Sequence, residues 1–179
     1  MKSIVDMTQA ELGAHVQSHL RSKGIEVVLS GGAVVAIYSH QRYVSKDLDL
    51  VNIFARRFDD LRNAMQEIGF HEQGRHFSHP DTQFIIEFPP GPLTIGSEPV
   101  GQIIDLEYDT GTLRLISPSD CVKDRLAAYY HWGDRQCLIQ AIWVAQIHEI
   151  DLAEVRRWSI SEDKLSEFEE ISHQLRGEI

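Results

Sequence analysis

Ser30-Gly31-Gly32-Ala33-Val34-Val35-Ala36-Ile37-Tyr38-Ser39, then His40 to Lys46, then Asp47-Leu48-Asp49-Leu50-Val51, is the stretch on which the fold turns. Just upstream, Ile25 to Leu29 (IEVVL) is short and β-branched, which suits a buried strand. The two glycines break that strand, and Ala33 to Ser39 is apolar and of helical length. Asp47 to Val51 alternates charge and aliphatic residue, the period of two of a strand. The order is therefore strand, glycine turn, helix, strand.

This order carries chemistry at two points. Glycines let a backbone approach a ligand without a Cβ in the way. The N–H groups that open the next helix suit a phosphate; the plain alternative is a bland strand-to-helix turn. In a strand, residues i and i+2 share a face, so Asp47 and Asp49 stand side by side while Leu48 and Leu50 enter the core. Two such anions repel unless a cation lies between them, and hard oxygen ligands select Mg²⁺ or Mn²⁺. The alternative is the solvent face of an edge strand.

Upstream, residues 7 to 22 read as a helix, with Thr8 as cap, Glu11 as its capping-box partner and Leu12, Val16 and Leu20 on one face; Gly24 ends it. Downstream, Arg56 to Ile68 is amphipathic, Phe70 to Phe77 reads as a strand, and Thr82 to Phe88 (TQFIIEF) as a stronger one. Pro89-Pro90-Gly91-Pro92 stops it and opens a long polar loop to Gly101. Glu87 inside that apolar strand is expensive unless something pairs with it. It is either a third carboxylate beside the first two or an edge-strand residue paired with an arginine. Gln102 to Tyr108 and Thr112 to Ile116 form a hairpin around Asp109-Thr110-Gly111.

From Ser117 the period turns helical. Ser117-Pro118 supplies cap and first-turn residues. Lys123 to Trp132, Arg135 to Glu149, Leu152 to Trp158 and Glu162 to Leu175 are candidate helices, with Gly133-Asp134 as a tight joint. The sequence thus predicts an α+β fold: a mixed sheet flanked by helices over residues 1–116, and a C-terminal helical region over 117–179.

Composition narrows the function. The chain has 179 residues, 17 Lys and Arg against 27 Asp and Glu, and a formal charge of −10. That repels a polyanion and argues against generic DNA binding. The longest unbroken apolar run, Ala33 to Tyr38, is six residues, far below the roughly 18 of a membrane span. Asp6 and Glu11 lie where a secretion signal would be apolar, and the two cysteines, Cys121 and Cys137, cannot form a disulfide framework. The expected compartment is the cytoplasm. Three carboxylates beside a glycine turn can hold two divalent ions on a nucleotide triphosphate. One ion activates a hydroxyl; the other stabilises the pyrophosphate that leaves.

With these residues in order, GGAVVAIYSHQRYVSKDLDLV resembles the nucleotidyltransferase superfamily of the polymerase-β type. It is most similar to small bacterial members found in toxin–antitoxin and abortive-infection loci. The resemblance covers residues 20 to 90. It rests on Gly31-Gly32, Arg42, Ser45, Asp47 and Asp49, with the third carboxylate on Glu87. It implies a nucleotidyltransferase-like α+β fold and a Mg²⁺- or Mn²⁺-dependent enzyme that moves a nucleoside monophosphate from an NTP to a hydroxyl. Asp47, Asp49 and Glu87 would be the catalytic and metal-binding set. Ser30, Gly31, Gly32, Arg42, Ser45, Lys46 and Lys123 would bind the nucleotide; Arg42 and Lys46 either offset triphosphate charge or pair with the carboxylates. Residues 118 to 145 are similar to a cleft-lining region in those proteins, which singles out Lys123, with Arg125, Asp134 and Arg135 behind it. The family's Lys-Leu-x-Ala is here Asp124-Arg125-Leu126-Ala127. The acceptor is an RNA end, a protein or a small molecule. The rival reading is an inactive nucleotide-binding or antitoxin-type protein, with an operon-encoded partner.

Other signals carry less. His15-x-x-x-His19 has metal-ligand spacing on a helix but no supporting motif, and His71, His76 and His79 lack an assignable fourth ligand. Arg125-x5-His131 matches a helical ribonuclease pattern without the surrounding helices. Tyr129, Tyr130, Trp132, Trp143 and Trp158 read as core between helices rather than a stacking platform. No lysine follows Gly31-Gly32 as a P-loop requires.

Overall fold

Thr8 opens the first helix, α1 (Gln9–Ser22), with the expected capping box. Thr8 Oγ1 accepts from the Glu11 N–H, and the Glu11 carboxylate accepts from the Thr8 N–H at 2.8 Å. Lys2, 2.7 Å away, and then Thr8 hold the Glu11 carboxyl at about 2. Leu12, Val16 and Leu20 form its fully buried stripe. The structure is a computed structural model that describes residues 2–53 and 58–177. Backbone contacts divide the chain into two units. One comprises Met1–Val34, Val44–Leu93 and Ile103–Ile116; the other comprises Val35–Tyr43, Thr94–Gln102 and Ser117–Ile179.

The first unit is built on a seven-stranded mixed sheet. Its strands are β1 (Val27–Ser30), β2 (Asp47–Asn52), β3 (His71–Gln73), β4 (His76–Ser78), β5 (Ile85–Glu87), β8 (Ile103–Tyr108) and β9 (Gly111–Ile116), in the order β3-β4-β5-β2-β1-β9-β8. The strand carrying Asp47 and Asp49 is therefore central, antiparallel to β1 and parallel to β5. Helix α1 lies on the face that Leu48 and Leu113 share. A Cβ added at Gly13 would stand 2.9 Å from Leu113 Cδ1 and 3.1 Å from Leu48 Cδ2. The β8–β9 hairpin is seated on the same helix at Gly111, where a Cβ would meet Ser18 Oγ at 2.1 Å and φ is +139°. Helix α3 (Phe58–Glu67) adds Leu61, Ala64 and Met65 to the core.

Several elements depart from the sequence expectation. Phe70 to Phe77 is not one strand: Gly74, at φ +66°, folds it into the β3–β4 hairpin. β5 is shorter than Thr82 to Phe88. The expected helix start at Arg56 lies outside the described residues. The long loop to Gly101 contains a second, two-stranded sheet, β6 (Thr94–Ile95) with β7 (Glu98–Pro99).

That small hairpin belongs to the second unit, with α4 (Pro118–Trp132), α5 (Arg135–Ala145), α6 (Leu152–Ser161) and α7 (Leu165–Leu175). α2 (Gly32–Tyr38) begins in the first unit and ends in the second. Ser117 Oγ caps α4, Pro118 occupies its first turn, and Gly133 at φ +67° ends it. The core is centred on Trp158, fully buried and stacked on Tyr130 at 5.9 Å, as a core reading of the aromatics expects. Its Nε1–H donates to Ile95 O at 3.2 Å and so holds the small hairpin. Trp132, by contrast, is 79% exposed. Cys121 and Cys137 are free and buried. No helix among the described residues is long and apolar enough to cross a membrane.

Candidate active site

Strand register builds the site inside the first unit. Asp49 pairs with Ser30 of β1 on one side and with Glu87 of β5 on the other; Asp47 pairs with Ile85. Paired residues on adjacent strands lie about 5 Å apart and point to one face. Ser30, Asp49 and Glu87 therefore form a row across the sheet, with Asp47 one step along β2 on the same face. Leu48 and Leu50 face the opposite way and are fully buried. His76 extends the row by one strand, since it pairs with Glu87.

Gly31 closes the row from above. It holds φ +72°, and a Cβ there would lie 2.2 Å from Asp49 Oδ2. Only a glycine lets the strand-to-helix turn pass this close to the carboxylate. Gly32 then starts α2. Sequence logic found this turn; the structure adds that the aspartate it faces is Asp49.

Two residues position β2. The Ser45 side chain is buried, and its Oγ donates to Asp47 O at 3.1 Å and accepts from the Asp47 N–H at 3.2 Å. Gln9, 4% exposed, donates from Nε2 to Ser45 O at 3.0 Å and Asp47 O at 3.3 Å. Nothing in the sequence points to Gln9, because its partners are 36 or more positions away. Lys46 is exposed, and its carbonyl accepts from the Ile85 N–H, extending the ladder towards β5.

The remaining expected residues lie in the second unit. Arg42 is exposed and donates to Gln146 Oε1 at 3.1 Å. Lys123 is buried, with its ammonium 2.7 Å from Asp120 and 3.4 Å from Glu154. Arg125 is paired with Asp124, and Asp134 caps α5 through the Gln136 and Cys137 N–H groups. Arg135 opens that helix and is exposed.

The donor set of Asp47, Asp49 and Glu87 fits a hard divalent cation chemically. Among the described residues, no three His, Cys, Asp or Glu side chains stand gathered in a metal-holding geometry. The register brings the carboxylates to one row; their side chains do not converge. Asp47 and Glu87 form no ion pair with the described basic residues.

No family profile and no curated protein matches the sequence. Solved structures do match in shape. An antigenic nucleotidyltransferase-like protein from Paracoccidioides brasiliensis superposes with a TM-score of 0.65 at 14% identity, over 96% of this chain and 94% of that one. The antibiotic-resistance factor ANT(2'')-Ia superposes at TM-score 0.46 and 12% identity, over 83% of this chain and 92% of that one. The same factor in complex with adenylyl-2''-tobramycin gives 0.43 and 12%, over 79% and 100%. The first of these carries the fold: the chain has a nucleotidyltransferase-like α+β architecture, a mixed sheet with helices followed by C-terminal helices.

Proposed function

We propose that this chain, having that architecture, binds a nucleoside triphosphate and transfers the nucleoside monophosphate to a hydroxyl, with release of pyrophosphate. The observation that carries the reading is the row Ser30–Asp49–Glu87 across three adjacent strands, with Gly31 pressed against the Asp49 carboxylate. Asp47, Asp49 and Glu87 would hold Mg²⁺ or Mn²⁺. When bound, such an ion neutralises triphosphate charge and acidifies the acceptor hydroxyl. Glu87, at the side of the row away from the glycine turn, would bind the ion that activates the acceptor hydroxyl or act as its base. The backbone of Ser30, Gly31 and Gly32 offers N–H groups to the phosphates, with Lys46 supplying nearby positive charge. Ser45 and Gln9 fix the backbone where β2 begins, at Asp47. Phosphate contacts by Arg42 and Lys123 rest on the sequence resemblance alone.

The acceptor is open between an RNA end, a protein and a small molecule; the charge of −10 disfavours a large RNA. The work is proposed for the cytoplasm. A second reading keeps the fold as a nucleotide-binding or antitoxin-type partner without catalysis. It is favoured by Lys123, whose charge is already taken by Asp120.

Calorimetry tests the first reading: Asp47→Asn with Asp49→Asn should abolish Mg²⁺-dependent NTP binding, and unchanged binding removes the metal role. Incubation with each labelled NTP and Mg²⁺ separates the two readings. Pyrophosphate release supports the transferase; nucleotide binding with no release from any of the four supports the partner.

A further inference from the structure

The seven-stranded sheet ends on β8 (Ile103–Tyr108), a strand bonded to β9 alone. Hydrogen bonds made by β9 show which groups of β8 are left over. The Arg114 N–H donates to Gln17 Oε1 at 2.8 Å, and Arg114 O accepts from Gln17 Nε2 at 3.0 Å. The Thr112 N–H donates to Ser18 Oγ at 3.1 Å. These backbone groups are turned to side chains of α1, away from β8. In an antiparallel ladder, residues that bond across alternate with residues that do not. Asp105 and Glu107 stand opposite Arg114 and Thr112, so they belong to the set that does not bond to β9, as does Ile103. The Ser117 N–H, donating to Gln102 O at 3.0 Å, keeps the same alternation. The N–H and C=O groups of Ile103, Asp105 and Glu107 therefore point off the sheet, and among the described residues they meet no partner. Such a row of donors and acceptors is a template for a further strand.

The two faces of β8 differ in chemistry. Ile104, Leu106 and Tyr108 share the face of Leu113, on which α1 lies, and all three are half-buried. Asp105 and Glu107 are exposed on the opposite face. Asp105 shares Arg114 with Glu26, and Glu107 has no basic partner among the described residues; its carboxylate accepts from Thr112 Oγ1 at 3.0 Å. A second copy of the chain, paired antiparallel along this edge, would bring its own Asp105 and Glu107 to the same face. Like charges opposed on adjacent strands destabilise the pair. The carboxylates that turn away a second copy favour a cationic strand.

The geometry points to β8 as a docking edge for an extended peptide that alternates apolar side chains with Lys or Arg. Its backbone pairs with the outward groups of Ile103, Asp105 and Glu107. Its apolar side chains lie beside Ile104, Leu106 and Tyr108, and its cations beside Asp105 and Glu107. In the strand order β8 stands three places from β2, and the docking edge does not depend on nucleotide transfer.

The probe is a fluorescein-labelled hexapeptide of alternating valine and lysine, titrated into the full chain and followed by anisotropy. It should saturate at one site, and exchange of the Asp105 and Glu107 amide protons, read by NMR, should slow about tenfold on binding. The matching valine–glutamate peptide should not bind. Glu107→Lys should weaken binding about tenfold. Glu170→Lys, the same change of charge at an exposed position of the helical unit, should leave it unchanged. Asp105→Pro removes an outward N–H that β9 does not use, a change that edge strands tolerate, and should abolish saturation. If Asp105→Pro fails to fold, Glu107→Lys and the amide exchange decide. Absence of saturation, an equal loss on Glu170→Lys, or slowed exchange elsewhere than β8 would each overturn the proposal. So would a dimer of the free chain in sedimentation whose β8 amides are already protected, since the edge would then belong to a second copy.

Discussion

Asp47 and Asp120 are each flanked by a lysine within three residues, yet the two units treat them in opposite ways. In the helical unit, Asp120 is 2% exposed and fully answered. It takes the Lys123 ammonium at 2.7 Å and the Gly101 and Gln102 N–H groups at 2.9 and 3.0 Å. In the sheet unit, Asp47 is exposed beside Asp49 and Glu87, and Lys46 gives the sheet its carbonyl rather than its charge. Asp120 is spent on a lysine and on the backbone of Gly101 and Gln102; Asp47 and Glu87 pair with no described basic residue. Burial of a charge without its partner is costly, so the first arrangement is structural. Like charges gathered near a surface repel one another, so the second arrangement adds nothing to the stability of the fold.

The sharpest way to break the contrast is Lys123→Met. It leaves Asp120 buried without its cation and should cost about 3–5 kcal/mol, read from urea denaturation. Adding Asp120→Asn should recover part of the loss. A variant as stable as the parent would show that the pair is not structural.

Gly31→Ala should come next. The forced Cβ and the left-handed φ together should cost about 1–3 kcal/mol and push the Asp49 carboxylate aside. Nucleotide binding, measured at a temperature where the variant remains folded, should fall with it. Asp47→Asn should sit at the other end of the stability scale, within about 0.5 kcal/mol of the parent in the same denaturation series. A large destabilisation would make Asp47 as structural as Asp120.

Acid should separate the units by window. The Arg157 side chain and then Ser161 hold the Glu98 carboxyl at about 2. Its folded value lies below its unfolded one, so the contribution is present above about 4.5 and is lost as pH falls towards 2. Trp158 fluorescence should report release of the β6–β7 hairpin in that range. In the sheet unit, burial and then His19 and His79 lower the His15 value below 6.5. The unfolded chain then binds the proton first, so stability falls as pH drops below about 6.5. His15→Gln should flatten this smallest slope; an unchanged slope would remove His15 as its source.

Local rules recovered what is local. Thr8 with Glu11, the alternation of Asp47 to Val51 and the turn at Asp109 to Gly111 each carry their own cause within a few residues. The Gly74 turn was hidden because Phe70 and Phe77 both look like strand residues and only pairing shows the reversal. The β6–β7 hairpin was hidden for a different reason. Its order comes from Trp158, Glu162 and Arg157, some 60 positions away. At the candidate site, the shared face of Asp47 and Asp49 follows from strand period. That Glu87 stands opposite Asp49 rather than Asp47 depends on register, which no single strand encodes. Lys123 reads from the sequence as a residue that reaches a phosphate; Asp120 is near enough along the helix to signal a pair, but the burial of that pair and the second contact to Glu154, 31 positions on, show only in the packing.

β2 is bound antiparallel on one flank and parallel on the other. A slip of one residue would therefore break two ladders of different geometry together, and would also turn Leu48 and Leu50 to water and both aspartates inward. The strand thus proofreads its own alignment: a lengthened or shortened connection at residues 39–46 must be absorbed before Ser45, or the whole sheet forfeits its order.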